Sequence, residues 1–271
     1  MLKKRITSGF ILALAISFLI FFISDIYLIY IVALISSLSL WEFLKVRSTN
    51  TFSLLNLLLF MPLLFVSHLA FFSYLFIGLS VLLYLISSVF ILSFPLNKMF
   101  LKNSFTWAFS GFIIHLGFFA SIFQIISTES LASISSSIEN ERLLILYIVL
   151  ISVLMDSIAY FAGKSIGKRP FITNVSPNKT MEGFLTAIVV TPLLLAIASS
   201  SIFELSFFYF LAVLFMVSLY SVLGDALASM MKRVIEIKDF SNLIPGHGGL
   251  FDRLDSHIAA FPCFIFLLSI F

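Results

Sequence analysis

Residues Phe71–Phe94 read FFSYLFIGLSVLLYLISSVFILSF, and none of them carries a charge. Their polar side chains are only serine and tyrosine hydroxyls. A helix lying on a water-soluble core would turn a charged or amide-bearing face outward. A bilayer core instead asks for roughly 20 consecutive apolar residues, and this run is long enough to cross it. Working outward on the same criterion adds Phe52–Leu69, Ile26–Phe43 and Ser8–Ser24 before it. After it come Phe105–Ser127, Leu143–Ala162, Met181–Ile202, Ser206–Met230 and His257–Phe271. The reading is an all-α polytopic membrane protein of about nine transmembrane helices. Composition agrees: 61% of the 271 residues are hydrophobic and 11% are charged, too few charges to coat a soluble domain of this size. A net charge of +3 is not a nucleic-acid footprint, so no nucleic-acid partner is expected.

Basic residues orient the bundle. With the N-terminus cytoplasmic and nine alternating spans, fifteen of the sixteen Lys and Arg fall on the cytoplasmic side, and Arg142 alone falls opposite. Lys3, Lys4 and Arg5 precede the first span, which lacks a small-residue cleavage site and reads as a retained helix rather than a signal peptide. The chain divides near residue 140. Residues 1–140 read as scaffold helices, and residues 141–271 as a catalytic region with two polar cytoplasmic segments, Gly163–Thr180 and Met231–Ser256. In the first half, Glu42 is expected to pair with a nearby Lys or Arg, and His68 and His115 to be hydrogen-bonded structural histidines. Cys263, the only cysteine, reads as a packing residue, so no internal disulfide is available.

Chemistry gathers in the second half. From Arg142, fourteen residues of helix carry Asp156 about 21 Å inward, toward the cytoplasmic side. An acid inside a span costs roughly 2.5–3.5 kcal/mol to insert and usually faces a partner or a cavity. Tyr160 and Gly163 follow it on the same face. Asp225, Ser229, Lys232 and Arg233 form one stripe near the inner end of the eighth span. The run Lys238-Asp239-Phe240-Ser241-Asn242-Leu243-Ile244-Pro245-Gly246-His247-Gly248-Gly249-Leu250-Phe251-Asp252-Arg253-Leu254-Asp255 has the Gly and Pro content of a loop whose N–H groups can cradle phosphate. His247 could hydrogen-bond a phosphate. Asp252 and Asp255 share a face if a helix starts there. Carboxylates without thiols suit a hard cation such as Mg²⁺, and zinc is not expected. Upstream, Ser176 and Thr180 are candidate N-caps, Pro177 is expected to start a turn, and Lys179 and Glu182 add charge beyond what capping needs. Cations, carboxylates and a phosphate cradle at one membrane depth suit metal-assisted transfer between phosphates, with one soluble substrate and one lipid.

The stretch Ser229–Asp255 resembles the signature of the phosphatidate cytidylyltransferases, or CDP-diglyceride synthases. The matching positions are Ser229, Lys232, Arg233, Lys238, Asp239, Pro245, His247, Gly248, Gly249, Asp252, Arg253 and Asp255. Upstream, Asp156, Ala159, Tyr160, Gly163, Gly167, Ser176, Pro177, Lys179, Thr180, Glu182 and Gly183 also look like that family. The strong resemblance covers Asp156–Asp255; the N-terminal half is similar only in hydropathy and in its Leu2-Lys3-Lys4-Arg5 start. One departure is Ala228, where many bacterial relatives carry Glu, and no role is assigned to it.

The resemblance implies condensation of CTP with phosphatidate to CDP-diacylglycerol and pyrophosphate, a divalent cation with room for a second ion, a homodimer, and a bacterial inner membrane with the site facing the cytoplasm. On this reading Asp225, Asp252 and Asp255 hold Mg²⁺. These three, with Lys232, Arg233 and Asp156, form the catalytic group. Tyr160, Ser176, Lys179, Thr180, Glu182, Ser229, Lys238, Asp239, His247, Gly248, Gly249 and Arg253 bind substrate. Two other activities compete. A CTP-dependent polyprenol or dolichol kinase would release CDP instead of pyrophosphate. An ion-coupled transporter would show polar residues at the midplane and a repeated half, and no repeat is visible here.

Overall fold

Seven helices in the computed structural model are long and apolar enough to cross a bilayer, among the residues it describes: 17–47, 58, 60–67, 69–127, 141–199, 206–244 and 248–270. In chain order the elements are α1 (Asp25–Lys45), α2 (Ala70–Leu92), the short α3 (Lys98–Leu101), α4 (Ser104–Ile126), α5 (Glu141–Ile166), β1 (Pro170–Ile172), β2 (Ser176–Thr180), α6 (Met181–Ser199), α7 (Phe207–Val234) and α8 (Phe251–Ile270). All but α3 among the helices are the spanning ones, and each matches a span expected from hydropathy. The protein is a multi-pass, all-α membrane protein. The other two expected spans, Ser8–Ser24 and Phe52–Leu69, lie partly outside the described residues; the described parts are helical at 17–22 and 60–66.

Helix ends depart from hydropathy most where charged residues begin. Helix α7 continues through Lys232 and Arg233 to Val234, and α8 begins at Phe251, not His257. A hydropathy window closes where charge begins, but the hydrogen-bonded ladder does not. Cations in a last turn and acids in a first turn also complement the helix dipole. Asp252 and Asp255 are therefore helical. The segment expected as a plain polar loop after α5 instead folds into an antiparallel hairpin, with Pro170 opposite Thr180 and Ile172 opposite Ser176. Ser176 and Pro177 thus lie in a strand, and neither caps a helix nor opens a turn.

Lipid tails are as apolar as leucine, so helices in a bilayer associate through close packing and polar contacts between them. Helix α8 sits centrally, packed against α7, α4, α2 and α5. His115 Nδ1 meets the Gly111 carbonyl at 2.7 Å and Nε2 meets Ser39 Oγ at 3.0 Å, which makes it the structural histidine expected. His68 lies outside the described residues. Ser221 donates to Ser152 at 3.1 Å between α7 and α5. Cys263 is buried in α8 among apolar side chains. At the end of the bundle where α1 and α5 begin, Arg142 bonds Asp25 at 2.5 Å and the Ile20 carbonyl at 3.0 Å. The other described Lys and Arg lie toward the opposite end.

Candidate active site

At that basic end, four elements converge on a set of acids and lysines. Lys179, next to last in β2, forms an ion pair with Asp225 of α7. Lys232, two turns further along α7, reaches Asp252 of α8 at 2.7 Å. Asp156 of α5 lies within the electrostatic reach of Lys179 and Arg253. Asp255 lies within that of Lys232, Asp156 and Lys179. Asp156, Asp225, Asp252 and Asp255 therefore share one network in which Lys179 and Lys232 are the shared counter-charges.

The local sequence explains the placement. The hairpin runs straight into α6 with no linker. Thr180 caps that helix by accepting the Gly183 N–H at 3.2 Å, as the sequence suggested. Glu182 Oε2 accepts the N–H groups of Lys168 at 2.9 Å and Arg169 at 3.1 Å, so its carboxylate fixes the start of the hairpin. Arg233 Nε donates to the Val175 carbonyl at 3.2 Å and ties the hairpin turn to α7. Gly224, beside Asp225, lets α7 meet α8: a Cβ there would lie 2.3 Å from the Asp255 carbonyl oxygen.

A cavity of about 480 Å³ opens beside the network, lined by Val175, Ser176, Ser229, Lys232, Arg233, Glu236, Ile237 and Lys238. Its size lies within the range of small-molecule sites. Three cations and two hydroxyls on its wall suit a polyanion. Val175, Glu236 and Ile237 carried no signal in the sequence beyond their neighbours. Glu236 adopts a positive φ of 59° and bonds Lys98 at 3.0 Å, which holds its carboxyl below the ordinary glutamate range, with Lys102 adding to the effect.

The loop after α7 is organised by Asp252. Its Oδ2 accepts the N–H of Phe240 at 2.8 Å and of Gly249 at 3.2 Å, and its side chain is only 3% exposed. Asp239 lies against Gly248, whose φ is +88°. His247 lies outside the described residues. Tyr160 is exposed and touches Phe161, and it bonds none of the other candidate side chains among the described residues. Sequence reasoning misread Glu42. It forms no ion pair among the described residues; instead it accepts Ser241 Oγ–H at 2.5 Å and Phe251 N–H at 2.9 Å. An acid at the inner end of an apolar helix was the available signal.

Among the described residues no three His, Cys, Asp or Glu side chains converge closely enough to hold a metal alone. The donors are carboxylate oxygens, and Asp225 and Asp252 each face a cation already. Mg²⁺ commonly takes one or two carboxylates and fills its shell with substrate phosphates and water. The chemistry of the donor set fits that ion.

Residues 3–271 match the model of the cytidylyltransferase family. A phosphatidate cytidylyltransferase of Bacillus subtilis is 33% identical over 279 aligned residues, which span 100% of this chain and 98% of the relative. The chain belongs to the cytidylyltransferase family. Phosphatidate cytidylyltransferases from Helicobacter pylori and Haemophilus influenzae match at 41% over 112 residues and 40% over 128 residues. Those matches span 41% and 45% of this chain, and 42% and 44% of the relatives. This cytidylyltransferase is thus a membrane-embedded nucleotidyltransferase, and the polar network and cavity are its candidate active site.

Proposed function

We propose that the chain transfers the cytidylyl group of CTP to phosphatidate, releasing pyrophosphate and leaving CDP-diacylglycerol in the membrane. The observation that carries this reading is the cation-lined cavity adjoining paired lysines and aspartates at one end of a lipid-embedded bundle. Full-length similarity to a phosphatidate cytidylyltransferase supports it. Phosphatidate keeps its acyl chains in the bilayer and presents its phosphate to the network. CTP enters from the water side and lays its phosphates on Lys232, Arg233 and Lys238. A phosphatidate oxygen attacks the α-phosphorus, the new P–O bond forms, and the bond to the bridging oxygen breaks with its electrons leaving on pyrophosphate. The attacking oxygen is already ionised near neutral pH, so no general base is required.

The work of the protein is positioning and charge compensation. Lys179 and Lys232 exchange their carboxylate partners for phosphate oxygens as substrates arrive. Asp225 and Asp252, with Asp255 behind them, would hold Mg²⁺, which when bound offsets phosphate charge. Asp156 keeps Lys179 and Arg253 in place. The bacterial relatives support an inner-membrane location, the basic residues gathered at the site's end support a site toward the cytoplasm, and the family resemblance supports a homodimer.

Purified protein in lipid, given labelled CTP and phosphatidate with and without Mg²⁺, is expected to form lipid-linked CDP and pyrophosphate only with the ion. Asp225→Asn or Asp252→Asn should lower turnover by about 10²–10³-fold or more while the protein still inserts. Release of CDP in place of pyrophosphate would make the protein a kinase, and near-normal turnover in either variant would remove the metal assignment.

A further inference from the structure

The N-terminal half supplies a carboxylate that touches the active-site loop and that no step above uses. Glu42, in the last turn of α1, is 1% exposed. Burying a carboxylate is costly unless hydrogen bonds satisfy it. Both of its oxygens are engaged by the loop and helix that follow α7, through Ser241 Oγ–H at 2.5 Å and Phe251 N–H at 2.9 Å. Phe251 is the first residue of α8, so this N–H has no partner within its own helix. Glu42 thus caps α8 from another helix, at the end whose dipole favours an anion.

Gly249 lies against both Glu42 and Asp252. A Cβ on Gly249 would sit 2.9 Å from Glu42 Oε2 and 3.0 Å from Asp252 Oδ2. The two carboxylates therefore clamp the same glycine. Below them Phe43, the next residue of α1, packs against Phe240 at 5.8 Å and Phe251 at 5.0 Å between ring centroids.

We propose that Glu42 is a positioning residue for the reaction: it fixes the start of α8, and through Gly249 it sets where Asp252 stands. This rests on the cytidylyl-transfer reading for its kinetic consequence but not for its structural one. Displacing a reacting or metal-holding group by about 1 Å can cost about 10²-fold in rate.

Hydrogen exchange and steady-state kinetics on the full chain in lipid nanodiscs test this. Glu42→Ala should speed exchange in peptides carrying Phe240, Gly249 and Phe251. It should lower kcat about 10²-fold with KM for CTP within about threefold. Glu42→Gln keeps an acceptor for Phe251 and a partner for Ser241, and should restore slow exchange and bring kcat to within about fivefold of the parent. Ser241→Ala breaks one of the two bonds without emptying a buried site, and serves if alanine at position 42 prevents insertion; it should move both readouts in the same direction by less. Three results would each overturn the proposal: unchanged exchange in these peptides for whichever of the Glu42→Ala and Ser241→Ala proteins insert; faster exchange with unchanged kcat; or loss of turnover in Glu42→Gln with exchange intact, which would mean that the carboxylate acts on substrate directly. Exchange is read without substrate, so an inactive parent would count against the cytidylyl-transfer reading alone.

Discussion

Lys179 is the point where the charges of the site meet. It bonds Asp225 and lies within reach of Asp156 and Asp255. Remove its charge and three carboxylates face one another with one fewer counter-ion, just where two anionic substrates must approach. Lys179→Ala should therefore lower lipid-linked CDP formation by about 10²-fold or more, and Lys179→Arg should restore only part, because a planar fork does not replace a compact ammonium. Wild-type turnover in the alanine variant would show that the network does not serve the reaction. Residue types at the site were legible from the chain alone: acids inside apolar spans and a Gly-rich run with cations stand out against lipid-facing sequence. Their pairing was not. Lys179 and Asp225 are 46 residues apart, and nothing in helical spacing says which lysine meets which aspartate. Glu42 was misread for the same reason, since its partners lie about 200 residues further along the chain.

Helices were read more securely than their ends. Each of the seven described spans was visible as an apolar run, because the bilayer demands that length of any helix that crosses it. Where they stop was less legible, since α7 and α8 carry charged turns that hydropathy excludes and hydrogen bonding retains. The hairpin was missed because strands of three and five residues, the second largely polar, leave no alternating pattern to find. The α7–α8 crossing has a sharper consequence. At Gly224 even a methyl group would collide with the Asp255 carbonyl and would lie 2.9 Å from Ala259 Cβ. Gly224→Val should cost about 1–3 kcal/mol by overpacking, seen as a lower unfolding temperature in detergent. Because the displaced backbone carries Asp255, turnover should fall by more than the loss of folded protein explains. Equal losses would mean that the crossing matters for stability only.

Over the whole molecule, the two halves meet at the site. Basic residues cluster at one end, as their distribution along the chain foretold, and there α1 and α4 support the loop whose N–H groups bond Asp252. Phe43 lies between Trp107, at 5.0 Å with planes 23° apart, and the rings of Phe240 and Phe251, and Trp107 Nε1 bonds the Phe43 carbonyl at 2.8 Å. An indole is thereby coupled to the loop through a single shared ring. The chain has only one other tryptophan, Trp41, which lies under the Lys45 ammonium at 4.5 Å. Exchanging Trp41 for Phe would leave one buried indole, separated by a single ring from the loop after α7. Its emission should change when CTP saturates the site, so the protein carries a built-in optical gauge of loop movement. A steady signal across the titration would mean that the aromatic stack stays rigid while the nucleotide docks.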